Sequence, residues 1–122
     1  MTQEDKDLLL KDLCARLPYD VKVNCNDKVY NFAGIQYFNI CILTDDNENN
    51  AFTTAGIKYI KPYLFPLSNM TEEQKREEYE ICKEYIIGYE SDLIDFYNRN
   101  HIDYRGLIAQ DLAIDATDKN IY

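Results

Sequence analysis

The spacing of apolar residues changes twice along the chain, from a helical period to strict alternation and back. Leu9, Leu10, Leu13 and Leu17 fall on one helical face within residues 2–17. Thr2 can cap the start, Glu4 and Asp5 suit the positive end of the dipole, and Pro18 stops the run. This predicts an N-terminal helix whose leucine seam docks on the rest of the chain, since a lone helix of that length is marginal in water.

From Asp20 to Phe65 the period becomes two. "DVKVNC" sets Val21, Val23 and Cys25 on one face and Lys22 and Asn24 on the other. Asn26-Asp27 tolerates positive φ, which predicts a tight hairpin into "KVYNFAGIQ". "NICIL" reads as a third strand and "TDDNENN" as a solvated loop. Residues 51–60 hold a fourth strand, with Gly56 at a bulge or bend. Pro62 and Pro66 in "KPYLFP" argue against a central strand there. Strands so short and closely spaced predict, over residues 20–65, a small antiparallel SH3-like β-barrel or a curved sheet. Flanking helices would complete its core, an α+β arrangement.

The helical period returns after Thr71-Glu72-Glu73-Gln74, a capping box. Tyr79, Cys82, Ile86, Tyr89, Leu93 and Phe96 form a heptad-like seam that crosses Gly88, so residues 71–100 are expected as a helical hairpin or a kinked helix. The seam suits packing within the domain, with oligomerisation through 79–96 as the alternative. Residues 101–122 read as a turn and tail, and the 122 residues as one domain.

Composition narrows the function classes. Hydrophobic residues at 46% and charged residues at 29% predict a packed core rather than disorder. Eleven Tyr, five Phe and no Trp supply large rings with polar tips, suited to half-buried positions and to interfaces. Tyr37, Phe38, Tyr59 and Tyr63, at strand ends and in loops, are the candidate contacts with a partner protein, together with the acidic Asp45, Asp46 and Glu48.

The balance of 13 basic and 22 acidic residues, net −9, supplies no overall footprint for nucleic acid. RNA or single-stranded DNA binding on the barrel face, the alternative, requires Lys22, Lys28, Lys58 and Lys61 to cluster. Cysteines at 14, 25, 41 and 82 form no CxxC pair, which predicts buried free thiols, no metal centre and a cytoplasmic, reducing setting. The loop carboxylates lack the EF-hand order of ligands. The N-terminus has no signal-peptide pattern, and no apolar stretch reaches membrane-spanning length. Glycines at 34, 56, 88 and 106 cannot form a phosphate-cradling loop, so no cofactor is expected.

Residues 100–108, "NHIDYRGLI", hold the chain's single histidine beside Asp103, Tyr104 and Arg105, the vocabulary of an active site. Catalysis needs a nucleophile or substrate within reach of His101 and a group orienting its other nitrogen. No nucleophile elbow or HExxH motif accompanies it. A locked chain reversal accounts for the same residues without chemistry, and a small enzyme using His101, Asp103 and Arg105 is the third reading.

"LLLKDLCARLPYDVKV", "KPYLFPLSNMTEEQK" and "NHIDYRGLIAQDLAIDAT" together give the chain a resemblance. It resembles a group of small hypothetical proteins encoded by phages, prophages and mobile elements of gut bacteria. The resemblance implies a genomic setting in a bacterial host cell and carries over no catalytic or binding residue. It implies an accessory factor that acts by binding a host or phage protein, including host takeover or anti-defence.

Overall fold

A computed structural model describes residues 1–49, 51–83 and 89–122. The first helix, α1, runs Gln3–Ala15, and Thr2 caps it in a reciprocal box with Asp5. Strands β1 (Lys22–Cys25) and β2 (Lys28–Gln36) follow, then β3 (Ile40–Asp45), β4 (Ala51–Gly56) and β5 (Lys61–Leu64). Helices α2 (Glu72–Cys82) and α3 (Tyr89–Arg99) come next, and a two-residue strand, β6 (Ile114–Asp115), is the last element.

The fold is α+β: an N-terminal helix, a six-stranded sheet and two C-terminal helices. The strand order is β4-β3-β2-β1-β5-β6, antiparallel except where β6 joins β5. The sheet is open, with β4 and β6 at its edges, and among the described residues no pairing closes it into the expected SH3-like barrel.

The hairpin between β1 and β2 turns on Asn26 and Asp27, both at positive φ, with Cys25 opposite Lys28. Asn and Asp take the left-handed conformation at nearly every such point in this glycine-poor chain. Among the described residues, His101 is the other non-glycine with positive φ.

Of the two readings for Gly56 the bend holds and the bulge does not. Gly56 pairs regularly with Ile40 and ends β4 where the chain turns into a single helical turn, Ile57–Tyr59, while the bulge lies between Phe32 and Gly34 in β2. The expectation for Pro62 is corrected. Pro62 sits inside β5, a strand between β1 and β6. Its missing N–H is tolerated because β1 pairs with Lys61 and Pro62 while β6 pairs with Tyr63 and Leu64, so the proline has a ladder on one side.

The core gathers Leu9 and Leu13 of α1, Val21, Val23 and Cys25, and Phe32, Cys41 and Leu43 from the inner face of the sheet. Ile57, Ile60 and Leu64 join it, with Leu107, Leu112 and Ala113 from the C-terminal segment. Alternation places Cys41, Leu43 and Asp45 inward along β3. The α1 seam differs from the leucine reading: Leu9, Asp12, Leu13 and Arg16 are the buried stripe, while Leu10 and Leu17 are half-buried. Cys25 and Cys41 are buried thiols as expected, but Cys14 is exposed.

Helices α2 and α3 pack as an antiparallel pair, with Arg99 Nη2 donating to Glu77 at 2.8 Å and Tyr97 Oη to Glu78 at 2.6 Å. Thr71 and Gln74 form the expected capping box. Within the expected seam Phe96 is fully buried and Tyr79 is exposed, while Ile86 and the Gly88 kink lie outside the described residues. Among the described residues no helix is long and apolar enough to cross a membrane.

Candidate functional site

The "NHIDYRGLI" segment begins as a helix stop. His101, at φ 58°, donates its N–H to the Asn98 carbonyl at 3.2 Å, and Ile102 donates to Tyr97 at 2.9 Å. This is the Schellman pattern, with His101 in the left-handed position that glycine usually fills. The chain then bridges to the end of β5: Phe65 N–H donates to the His101 carbonyl and Asp103 N–H to the Phe65 carbonyl, each at 2.8 Å. Gly106, at φ 74°, lets the chain reverse a second time.

The carboxylate of Asp103 is buried and accepts from the backbone N–H groups of Leu107 at 2.8 Å and Ile108 at 2.9 Å. Both its oxygens are therefore committed to capping the following turn, and neither orients the histidine. The His101 ring instead lies face to face with Tyr122, centroids 3.7 Å apart and planes 10° apart. Its Nδ1 is buried without a hydrogen-bond partner. Desolvation, helped by the positive charge of Arg16, pulls the imidazole pKa down to about 4, so the ring is neutral at physiological pH. Tyr122 in turn donates from Oη to the Tyr63 carbonyl at 2.7 Å and accepts from the Lys22 N–H at 3.0 Å.

A second group holds the other side of the turn. Asp12 and Arg16, one helical turn apart, are both fully buried, with Arg16 Nε donating to Asp12 at 2.8 Å. Arg16 Nη2 also donates to the Ile102 carbonyl at 2.8 Å, and Arg105 Nε donates to Asp12 at 3.1 Å. The Tyr104 ring sits near both guanidinium groups, at 5.3 Å from Arg16 and 4.8 Å from Arg105, and stacks on Tyr97 at 5.4 Å. Arg105 Nη2 donates to Tyr104 Oη at 2.8 Å. The cluster thus ties α1 to the C-terminal turn and, through Tyr97 and Glu78, to α3 and α2.

Chemically, this arrangement provides no activated nucleophile. His101 lacks a carboxylate partner at Nδ1, each Asp103 oxygen accepts from a backbone amide, and the Tyr122 hydroxyl is engaged on both sides. The buried Arg16 Nη1 and Asn98 Oδ1 are also without partners, each at a desolvation cost. Among the described residues no group of three His, Cys, Asp or Glu is placed to hold a metal.

The predicted contact residues divide. Tyr37 is 89% exposed and Tyr59 is 58% exposed. Both follow strand ends that the register brings together, since Gln36 pairs with Ile40 and Ile40 with Gly56. Tyr63 leaves the surface set: it is buried on the face of β5 opposite Leu64, the face it shares with Asn24, whose Nδ2 donates to its Oη at 3.0 Å. The side chain of Phe38 lies outside the described residues. Asp45 is likewise buried, gripped by Lys28 Nζ at 2.5 Å, while Asp46 and Glu48 are exposed. Lys28 holds the Asp45 carboxyl below its usual pKa, and Asp45 with Glu48 raises that of Lys28.

The four lysines do not make one bare patch. Lys22 faces Asp46 at 3.7 Å, Lys28 faces Asp45 and Glu48, and Lys61 pairs with Asp111 at 2.9 Å. Lys58 lies over the Tyr59 ring beyond the far end of β4. Phe52, 72% exposed on β4, was not marked by its sequence context, because only the strand order reveals that β4 is an edge.

Comparison with known proteins finds no family model that matches the chain, and no curated protein or solved structure that is similar to it.

Proposed function

We propose that the chain is a non-enzymatic accessory protein that acts by binding another protein, in the cytoplasm of a bacterial host. The observation that carries this reading is the pair of exposed rings, Tyr37 and Tyr59, at one end of the sheet. Large rings left in water on a well-packed domain are contact residues in waiting, since Tyr contributes area at low entropic cost. The turn that carries His101 supports the same reading, because its polar groups are spent on capping and stacking. The resemblance to phage and mobile-element proteins favours an accessory role, with host takeover or anti-defence as the process. The lysine pairing with carboxylates weighs against binding of RNA or single-stranded DNA.

The test is affinity capture from bacterial lysate followed by titration calorimetry of the purified pair. The expected result is one reproducible partner whose binding is lost in Tyr37→Ala/Tyr59→Ala at unchanged thermal stability. No reproducible partner at low salt, or a partner indifferent to both substitutions, contradicts the reading.

A further inference from the structure

We propose that β4 pairs antiparallel with β4 of a second copy of this chain, joining two sheets into one. The proposal stands on the sheet edge and does not depend on the partner reading of Tyr37 and Tyr59. β4 is the terminal strand of the order, paired with β3 over its full six residues and with nothing on its other side among the described residues. Ala51, Phe52, Thr53 and Thr54 are all exposed. An edge of this kind presents a row of unpaired N–H and C=O groups, which proteins usually blunt with lysine, proline or a bulge. "AFTTAG" has no charge and no proline, and its register with β3 is unbroken. The chain carries a net charge of −9, so an uncharged edge is where two copies approach with least repulsion.

The charges beyond the two ends of β4 identify the occupant. In the turn before it the exposed Asp46 and Glu48 face Lys22 and Lys28 of their own chain. With Asp45 the carboxylates outnumber these lysines three to two, so the turn keeps a net negative charge. The turn after it carries the exposed Lys58. An antiparallel two-fold centred on Thr53 or Thr54 sets the acidic turn of each copy beside Lys58 of the other, twice by symmetry. The edge is therefore self-complementary. With the two-fold perpendicular to the sheet, opposed residues share a face, so Phe52 of both copies lies on the same side of the joined sheet. The shared edge is about 20 Å long, less than a standard interface requires, so the association is weak and concentration-dependent.

Sedimentation velocity and light scattering from micromolar to millimolar protein test it. The expected result is a rise from one-chain to two-chain mass, abolished in Thr53→Lys/Thr54→Lys, whose thermal unfolding at low concentration matches the unmodified chain. Lys58→Glu is expected to weaken the dimer and Glu48→Lys/Lys58→Glu to restore it. One-chain mass throughout overturns the proposal, as does a dimer that survives Thr53→Lys/Thr54→Lys, which would place the interface elsewhere, such as the 79–96 helical seam.

Discussion

Replacing Asp12 by Asn removes the negative charge that Arg16 and Arg105 both face while keeping the side chain's shape. Arg16 is fully buried, so it cannot recover its loss by turning to water. Removing one partner of a buried pair costs roughly 3–5 kcal/mol, because the remaining charge is left uncompensated. Arg105 is 17% exposed and adds less to that cost. A natural domain holds only about 5–15 kcal/mol in total, so the variant should lose a large share of its stability. Urea unfolding followed by circular dichroism reads this directly. With a slope near 2 kcal/mol per molar, the midpoint should fall by about 2 M with the slope unchanged. Asp7→Asn, on the exposed side of α1, is the control and should shift stability by less than about 0.5 kcal/mol. A partly compensated double replacement, Asp12→Leu/Arg16→Met, should be less damaging than Asp12→Asn alone, since no buried charge remains there. If Asp12→Asn matches the control, the junction does not hold the C-terminal turn, and the structural assignment of "NHIDYRGLI" loses its main support.

Three further outcomes follow from the same contacts. Tyr122→Phe removes a hydroxyl that bonds two backbone groups, at β1 and β5, and should cost about 1–3 kcal/mol in the same unfolding assay while leaving the fold intact. In native protein a thiol reagent at mildly alkaline pH should modify the exposed Cys14 before Cys25 or Cys41, although partial desolvation raises the Cys14 thiol pKa as well. Cys25 and Cys41 should react only after unfolding, because burial shields both and pushes the Cys41 thiol up to about 11. Stability should also carry a histidine signature. The folded imidazole has its pKa lowered to about 4 from 6.5, so the unfolded chain binds the extra proton first as pH falls. That contribution is complete above pH 6.5, declines towards pH 4 and levels off below it. His101→Asn, which tolerates the left-handed backbone, should lose this component, and an unchanged pH profile in the variant would contradict the assignment.

The sequence made the alternating strands, the Asn26-Asp27 hairpin and both capping boxes legible, because each depends on near neighbours. What stayed hidden depends on residues far apart. The stripe 9, 12, 13, 16 is as good a helical face as the leucine seam, yet Asp12 and Arg16 read as solvated until Arg105 and the Ile102 carbonyl arrive from the other end of the chain. Pro62 argues locally against an interior strand, and the brevity of β6 that permits one has no local sequence signal. Tyr63 and Tyr59 look alike in the sequence, and only the tertiary arrangement covers one and leaves the other in water. In the same way the catalytic-looking residues 101–105 are adjacent in the chain but serve separate neighbours. His101 goes to Tyr122, Asp103 to two backbone amides, and Arg105 to Asp12.

The imidazole of His101 reports on this separation without ambiguity, because the chain has a single histidine. Its proton titration, followed by heteronuclear NMR on ring-labelled protein, should show a neutral ring through physiological pH and a midpoint near 4. A midpoint at or above 6.5 would mean that a carboxylate faces the ring and favours its charged form, and the capped turn would then have to be read again as a catalytic pair.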